Sequence, residues 1–187
     1  SLRLTPWNND TIGDLKGEAF YLRDEESGRF WSPSPLPVRG HSAYISRHGF
    51  GYSIFQHSED GIVSEMKVFV DIEAPIKFIV IKVKNSSPRV RKISATGYVE
   101  WVLGSTRAKS MMHTITEVDI RSGTILARNS YSDSFSGRVA FFDVDDPNRT
   151  FTTDRSEFIG RNGSMANPDA MNRSRLSGKS GAALDPC

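Results

Sequence analysis

An all-β fold, an antiparallel β-sandwich, is predicted by three observations. Short runs of alternating side chains recur from residue 42 to 144, Gly-, Asn-, Asp- and Ser-rich turn clusters separate them, and helical periodicity is nearly absent. The organisation expected is a single partial sandwich domain over 1–187. It comprises a hairpin and Pro-rich connector over 1–41, a β core over 42–158 and a polar tail with a short helix over 159–187.

The apolar runs Glu18-Ala19-Phe20-Tyr21-Leu22 and Arg29-Phe30-Trp31 flank the turn-forming Glu26-Ser27-Gly28, which predicts a hairpin. Pro33, Pro35 and Pro37 fix φ and remove ladder donors, so the stretch after it is an extended connector and not a central strand. Strands follow over 42–48, 52–57 and 62–70, with the turn Glu59-Asp60-Gly61 before the last. In that strand Ile62, Ser64, Met66, Val68 and Val70 share one face, while Glu65 and Lys67 take the other. Residues 76–83 are apolar on both faces in their middle, which predicts a central strand covered on both sides.

Asn85-Ser86-Ser87-Pro88 is a turn cluster. A long strand over 90–103 follows, with Ile93, Ala95, Val99 and Trp101 on one face and Tyr98 and Glu100 on the other. Three more strands lie within 112–120, 124–128 and 138–144. Asn167-Pro168, a cap residue before a proline at the first helical position, predicts a helix from Pro168 to about Leu176.

The 187 residues suffice for one β domain with a real core. With 24 basic and 22 acidic residues the net charge is only +2, which gives no electrostatic footprint for nucleic acid or an anionic membrane. No window is apolar and long enough to span a bilayer, and the N-terminal residues lack the segments of a signal peptide. Cys187 is the one cysteine, so no internal disulfide can form, and a cytoplasmic location is expected.

Candidate chemistry is sparse. His41, His48 and His57 do not follow a recurring zinc spacing, and no metal site is expected from them. Gly178-Lys179-Ser180 resembles the end of a phosphate loop, but Arg173 stands where the first glycine belongs. No nucleophile elbow is present, and no catalytic residue or cofactor is assigned. Glu100 is the acid embedded in a long apolar strand beside Tyr98 and Trp101; it reads as the partner of a neighbouring arginine, or as a holder of a polar ligand or subunit contact. Arg47-His48-Gly49-Phe50-Gly51-Tyr52 combines charge, aromatic rings and glycines at a strand break, suiting either a ligand platform or a bulge with a core Phe. Arg128-Asn129-Ser130-Tyr131 poses the same alternative.

A series of motifs in order carries a family resemblance: Leu4-Thr5-Pro6-Trp7-Asn8-Asn9-Asp10, Trp31-Ser32-Pro33-Ser34-Pro35-Leu36-Pro37-Val38-Arg39, Arg47-His48-Gly49-Phe50-Gly51-Tyr52-Ser53, Tyr98-Val99-Glu100-Trp101-Val102-Leu103-Gly104, Ala127-Arg128-Asn129 and Phe158-Ile159-Gly160-Arg161-Asn162-Gly163-Ser164. Together they resemble the N-terminal β-sandwich of glycoside hydrolase family 94, formerly glycosyltransferase family 36, the family of cellobiose and chitobiose phosphorylases. The likeness is strongest to the phosphorylase-like region of cyclic β-1,2-glucan synthases.

The resemblance implies a supersandwich of the galactose-mutarotase-like kind, followed in the parent by a linker and an (α/α)6 barrel that supplies the catalytic acid. It implies a non-catalytic fragment of a glycosyltransferase or inverting phosphorylase acting on β-linked glucans, with inorganic phosphate as co-substrate in the phosphorylase case. It also implies a homodimer, contact with a β-glucan oligosaccharide, and a cytoplasmic location or the cytoplasmic face of the bacterial inner membrane. The fragment is expected to begin after the family's first strands and stop before the sandwich is complete, leaving strand edges that invite self-association. Arg47, His48, Tyr52, Glu100, Trp101 and Arg128 are the sugar-facing or interface candidates. A free-standing carbohydrate-binding module and an adhesion sandwich without sugar binding remain the alternatives.

Overall fold

A computed structural model describes residues 3–7 and 17–187; Asn8, Asn9 and Asp10 of the first motif lie outside the described residues. The fold is mostly antiparallel β-sheet. It divides into two compact units, one formed by Ser1–Ala19 and Tyr98–Cys187, the other by Phe20–Gly97. Among the described residues no helix is long and apolar enough to cross a membrane.

In the Phe20–Gly97 unit the predicted hairpin forms. β1 (Glu18–Asp24) pairs antiparallel with β2 (Phe30–Trp31), Leu22 opposite Trp31, and the Gly28 amide donates to the Asp24 carbonyl at 2.8 Å. Gly28 has φ +72°, the left-handed value that glycine takes without strain. The connector after β2 contains a cis Leu36–Pro37 bond.

β3 (Tyr44–Gly49), β4 (Tyr52–Glu59), β5 (Ile62–Val70) and β6 (Lys77–Asn85) then form a four-stranded antiparallel meander in sequence order. Asp60 and Gly61, at φ +48° and +76°, make the tight two-residue turn that matches the twist of β4 and β5. Ile62, Ser64 and Met66 are buried on the face predicted for β5, although Val70 at its end is exposed.

β6 corrects one expectation. Its middle, apolar on both faces, predicts a central strand, yet it is an edge strand with Phe78, Val80 and Val83 exposed. A strand awaiting cover outside the chain and one already covered within it carry the same two-sided pattern, so periodicity does not separate them. The apolar cluster of this unit joins Leu22, Trp31 and Ile62, with Ile81 and Ile93 against it.

β7 (Ile93–Val99) closes the sheet β2-β1-β7 and is shorter than predicted. From Tyr98 to Leu103 every residue is buried, so the strand's alternation ends. The backbone there bonds to distant segments: the Glu100 amide donates to the Gly17 carbonyl and the Val102 amide to the Leu4 carbonyl, at 2.8 and 2.9 Å.

The other unit contains the sheet β8 (Thr114–Val118), β9 (Ile125–Asn129) and β10 (Ala140–Phe142), in order β10-β9-β8. Two one-turn helices were not foreseen: α1 (Arg107–Ser110) and α2 (Arg155–Phe158), the second capped by the Asp154 carboxylate on the Ser156 amide. The predicted C-terminal helix shortens to a 3-10 turn over Asp169–Asn172, with Pro168 as its cap. The core joins Val99, Trp101, Leu103 and Ala127, with Phe135, Ala140 and Phe142 packed on it.

Trp101 is 2% exposed in that core. Trp101→Ala is expected to cost about 3–5 kcal/mol, the range for large aromatic truncations. Denaturant unfolding of the two proteins measures it, and an unchanged midpoint would contradict this packing.

Candidate functional site

Of the six sequence-predicted residues, Arg47, His48 and Tyr52 belong to the Phe20–Gly97 unit and Glu100, Trp101 and Arg128 to the other. Arg47 and His48 lie on β3, Tyr52 starts β4, Glu100 and Trp101 follow β7, and Arg128 lies on β9. Each occupies a different chemical setting.

Arg47 and His48 point to opposite faces of the meander, as successive strand residues must. His48 Nδ1 lies 2.9 Å from the Ser53 hydroxyl, and its ring meets Phe55 edge-on. Arg47 shares its face with an aromatic row: Tyr52, Phe69 and Phe78 stand opposite one another across β4, β5 and β6. The Phe69 and Phe78 rings stack at 5.2 Å, and the Lys67 ammonium sits 5.3 Å from the Tyr52 ring centre. Ile45, Val63 and Val80 are on this face too, and all three are exposed, as are Tyr52 and Phe78. Phe50, in the turn between β3 and β4, is fully exposed beside Gly51 at φ +77°.

Glu100 is buried and charged, and its setting is ionic. Arg107 Nε lies 2.8 Å from Oε1 and Arg155 Nε 2.9 Å from Oε2, while the Tyr98 hydroxyl donates to Oε2 at 2.8 Å. Asp185 bridges the same two arginines. Burial, reinforced by the negative charge of Glu100, pushes the Tyr98 phenol well above its ordinary range. The neighbouring Cys187 thiol is also pushed up, chiefly by burial. Arg128 is half-exposed on its strand and pairs with Glu117 across to β8 at 2.8 Å.

A cluster that local sequence did not signal forms around Glu59 in the Phe20–Gly97 unit. Oε1 accepts from Arg29 Nη2 at 3.1 Å and lies 2.7 Å from His41 Nδ1; Oε2 accepts from the His41 amide at 2.8 Å and lies 3.2 Å from His57 Nε2. His57 is fully buried, stacks on Tyr44 at 3.8 Å, and faces the Ala43 carbonyl with Nδ1 at 3.3 Å. Gly40 passes so close that a Cβ there would stand 2.3 Å from His57 Nε2. Desolvation raises the Glu59 pKa, but the hydrogen bonds from His41 and His57 outweigh it and hold the carboxyl below its usual range.

Two further buried carboxylates follow the same pattern. Asp24 meets Arg91 at 2.9 Å with both side chains 1% exposed, and Ser27 and the Glu26 amide add hydrogen bonds. Glu157 takes the Thr152 and Ser177 hydroxyls, the Ser177 amide and Lys179. Lys179, of the phosphate-loop-like tripeptide, thus neutralises Glu157 and Asp154.

The model of the family described as "Glycosyl hydrolase 94, supersandwich domain" matches residues 1–187. The chain belongs to glycoside hydrolase family 94. Within this family it is 35% identical over 187 residues to the cyclic beta-(1,2)-glucan synthase NdvB of Rhizobium meliloti (strain 1021), covering 99% of this chain and 7% of that protein. It is 30% identical over 196 residues to the N,N'-diacetylchitobiose phosphorylase of Vibrio furnissii, covering 99% of the chain and 24% of the relative. A solabiose phosphorylase of Paenibacillus borealis is 39% identical over 85 residues, 45% of this chain and 11% of its own length. The family 94 chain thus spans a quarter or less of these relatives.

Asp24, Glu59 and Glu157 all have carboxyls held below the ordinary range, in each case by hydrogen bonds and charge that outweigh desolvation. Their stabilisation is complete above the unfolded carboxylate values near about 4 and is lost as pH falls through the lower folded values. Urea midpoints are therefore expected to hold from about pH 7 to 5 and drop steeply below about pH 4. Arg91→Ala, which strands the buried Asp24 charge, is expected to cost about 3–5 kcal/mol at neutral pH. That penalty is expected to shrink in acid as Asp24 protonates, and a pH-independent penalty would show that the pair is not ionic.

Proposed function

We propose that this chain is a non-catalytic sandwich fragment of a larger enzyme that builds or phosphorolyses β-linked glucans, with β-1,2-glucan the preferred substrate. It contributes architecture, a homodimer contact and glucan contact. The catalytic acid and, in a phosphorylase, the phosphate contacts come from an (α/α)6 barrel elsewhere in the parent chain. A cytoplasmic location, or the cytoplasmic face of an inner membrane, belongs to the same reading.

The observation that carries this reading is the uncovered face of the β3–β6 meander. Exposed Tyr52, Phe78 and Val80 lie with Phe69 at one end of this face around Lys67, bordered by Arg47 and by the polar row Gln56, Glu65 and Lys82, beyond which Val63 is also exposed. Large exposed apolar patches with polar rims mark interfaces, and buried aromatic anchors dominate their energetics. Arg47, Tyr52 and the projecting Phe50 are the interface candidates here, and His48 and Arg128 the accessible polar candidates for glucan. Glu100 and Trp101 serve from within, Glu100 holding the two arginines and Trp101 filling the core beneath β9.

Support for the substrate class comes from the names of relatives, one a beta-(1,2)-glucan synthase and others disaccharide phosphorylases. The test is sedimentation velocity on the 187-residue chain and its Val80→Lys and Phe78→Lys variants. Wild type is expected to self-associate reversibly, and both variants to be monomeric, Val80→Lys with unchanged melting temperature and Phe78→Lys with a small drop from the lost Phe69 stacking. A wild-type monomer at every accessible concentration would refute the dimer contact.

A further inference from the structure

We infer that β6 is the dimer contact: its open edge pairs antiparallel with β6 of a second copy about a two-fold axis at Val80, joining two meanders into one sheet with four strands from each copy. The inference rests on the homodimer proposed above and gives that contact its strand and its register. Phe78 and Val80, exposed on the uncovered face, belong to this same strand.

Two independent observations point to a strand as the occupant. The first is in the backbone. The Asp71 amide donates to the Ile76 carbonyl at 2.9 Å and the Ser86 amide to the Gly61 carbonyl at 2.8 Å, which fixes the phase of the β5–β6 ladder. Residues 78, 80, 82 and 84 therefore turn their backbone groups to β5, and Ile79, Ile81 and Val83 turn theirs to the open edge. Among the described residues no hydrogen bond reaches those outward groups. The strand keeps an unbroken register with β5 from Lys77 to Asn85 and contains neither proline nor bulge, two of the devices that blunt an edge. The second observation is in the side chains. Phe78 and Val80 on one face and Ile79 and Ile81 on the other make the middle of β6 apolar on both sides, the composition of an interior strand. β3, the other edge of the meander, carries Ser46, Arg47 and His48 instead.

A second copy fits because β6 is complementary to itself. With Val80 opposite Val80, Ile79 of each copy faces Ile81 of the other and exchanges both backbone hydrogen bonds with it, so apolar side chains meet on both faces. Phe78 falls opposite Lys82, an ammonium beside an aromatic ring, and Lys77 falls opposite Val83. No lysine of the strand meets a lysine in this register, and the charge of Lys82 is already met within its own copy by Glu65 at 3.8 Å.

Hydrogen exchange on the ¹⁵N-labelled 187-residue chain reads the backbone directly, at concentrations above and below the monomer–dimer transition found by sedimentation velocity. The Ile79 and Ile81 amides are expected to exchange about tenfold or more slowly in the dimer than in the monomer. Val80→Cys is expected to form a disulfide-linked dimer under mild oxidation, since facing residues of a non-hydrogen-bonded pair stand about 4.5 Å apart at Cα. Wild type, whose one thiol is the buried Cys187, is the control and is expected not to cross-link. A dimer in which both amides exchange as fast as in the monomer would overturn edge pairing and leave a face-to-face dimer standing. Slow exchange of both amides in the monomer would overturn it as well, by placing a segment of the same chain on the edge. Protection in the dimer without the Val80→Cys cross-link would overturn the two-fold at Val80. A monomer at every accessible concentration would overturn both this register and the dimer itself.

Discussion

A carboxylate removed from water must find positive charge or lose its own, and the arrangement of Tyr98–Cys187 follows from how Glu100 meets that demand. Its two oxygens face Arg107 of α1 and Arg155 of α2, and Asp185 joins the same guanidiniums. Three stretches far apart in sequence, 100–107, Arg155 and Asp185, are thereby tied at one point. Regular structure is scarce here, with three short strands and three single turns of helix, so this ionic tie does what a long ladder does elsewhere. The apolar core of Val99, Trp101, Leu103 and Ala127 lies against the same stretch of chain.

The Phe20–Gly97 unit solves a different problem. Its meander is built from sequential hairpins whose contacts are mostly local, which makes the sheet quick to form and leaves little material to cover it. The buried pairs Asp24–Arg91 and Glu59–His57 lie near one end, where β1, β2 and the proline connector gather. Beyond them Tyr52 and Phe78 of the aromatic row are exposed, and Lys67 lies over Tyr52 and Phe69. Neighbouring domains commonly complete such faces, and this chain spans 7% of one relative and 24% of another.

Much of this was legible in the sequence where the signal is local. The Glu26-Ser27-Gly28 and Asp60-Gly61 turns and the alternation of β5 place their hairpins correctly, because turn chemistry and period-two patterning act over a few residues. Arginine partnership for Glu100 was legible too, since a buried acid demands it, but Arg107 and Arg155 arrive on two one-turn helices too short to leave a periodic trace. The edge position of β6 was not legible, because cover is a property of neighbours. The meeting of His41, His57 and Glu59 was hidden for a related reason: His41 sits in a coil, and only the fold brings it to the carboxylate. The six candidate residues were chosen for their types in unusual local runs, and the structure distributes them between a buried ionic knot, a core and two sheet surfaces.

The glycine at position 40 bears on how sequences of this kind can drift. Its amide donates to the Tyr44 hydroxyl at 2.9 Å, and its α-carbon abuts the imidazole of His57 and the carboxylate of Glu59. A larger residue there would force that histidine and glutamate to shift. Position 40 is therefore tied to glycine while His57 and Glu59 keep their places, and any lineage that replaces the acid–imidazole contact with smaller apolar side chains would be the first in which residue 40 is free to vary.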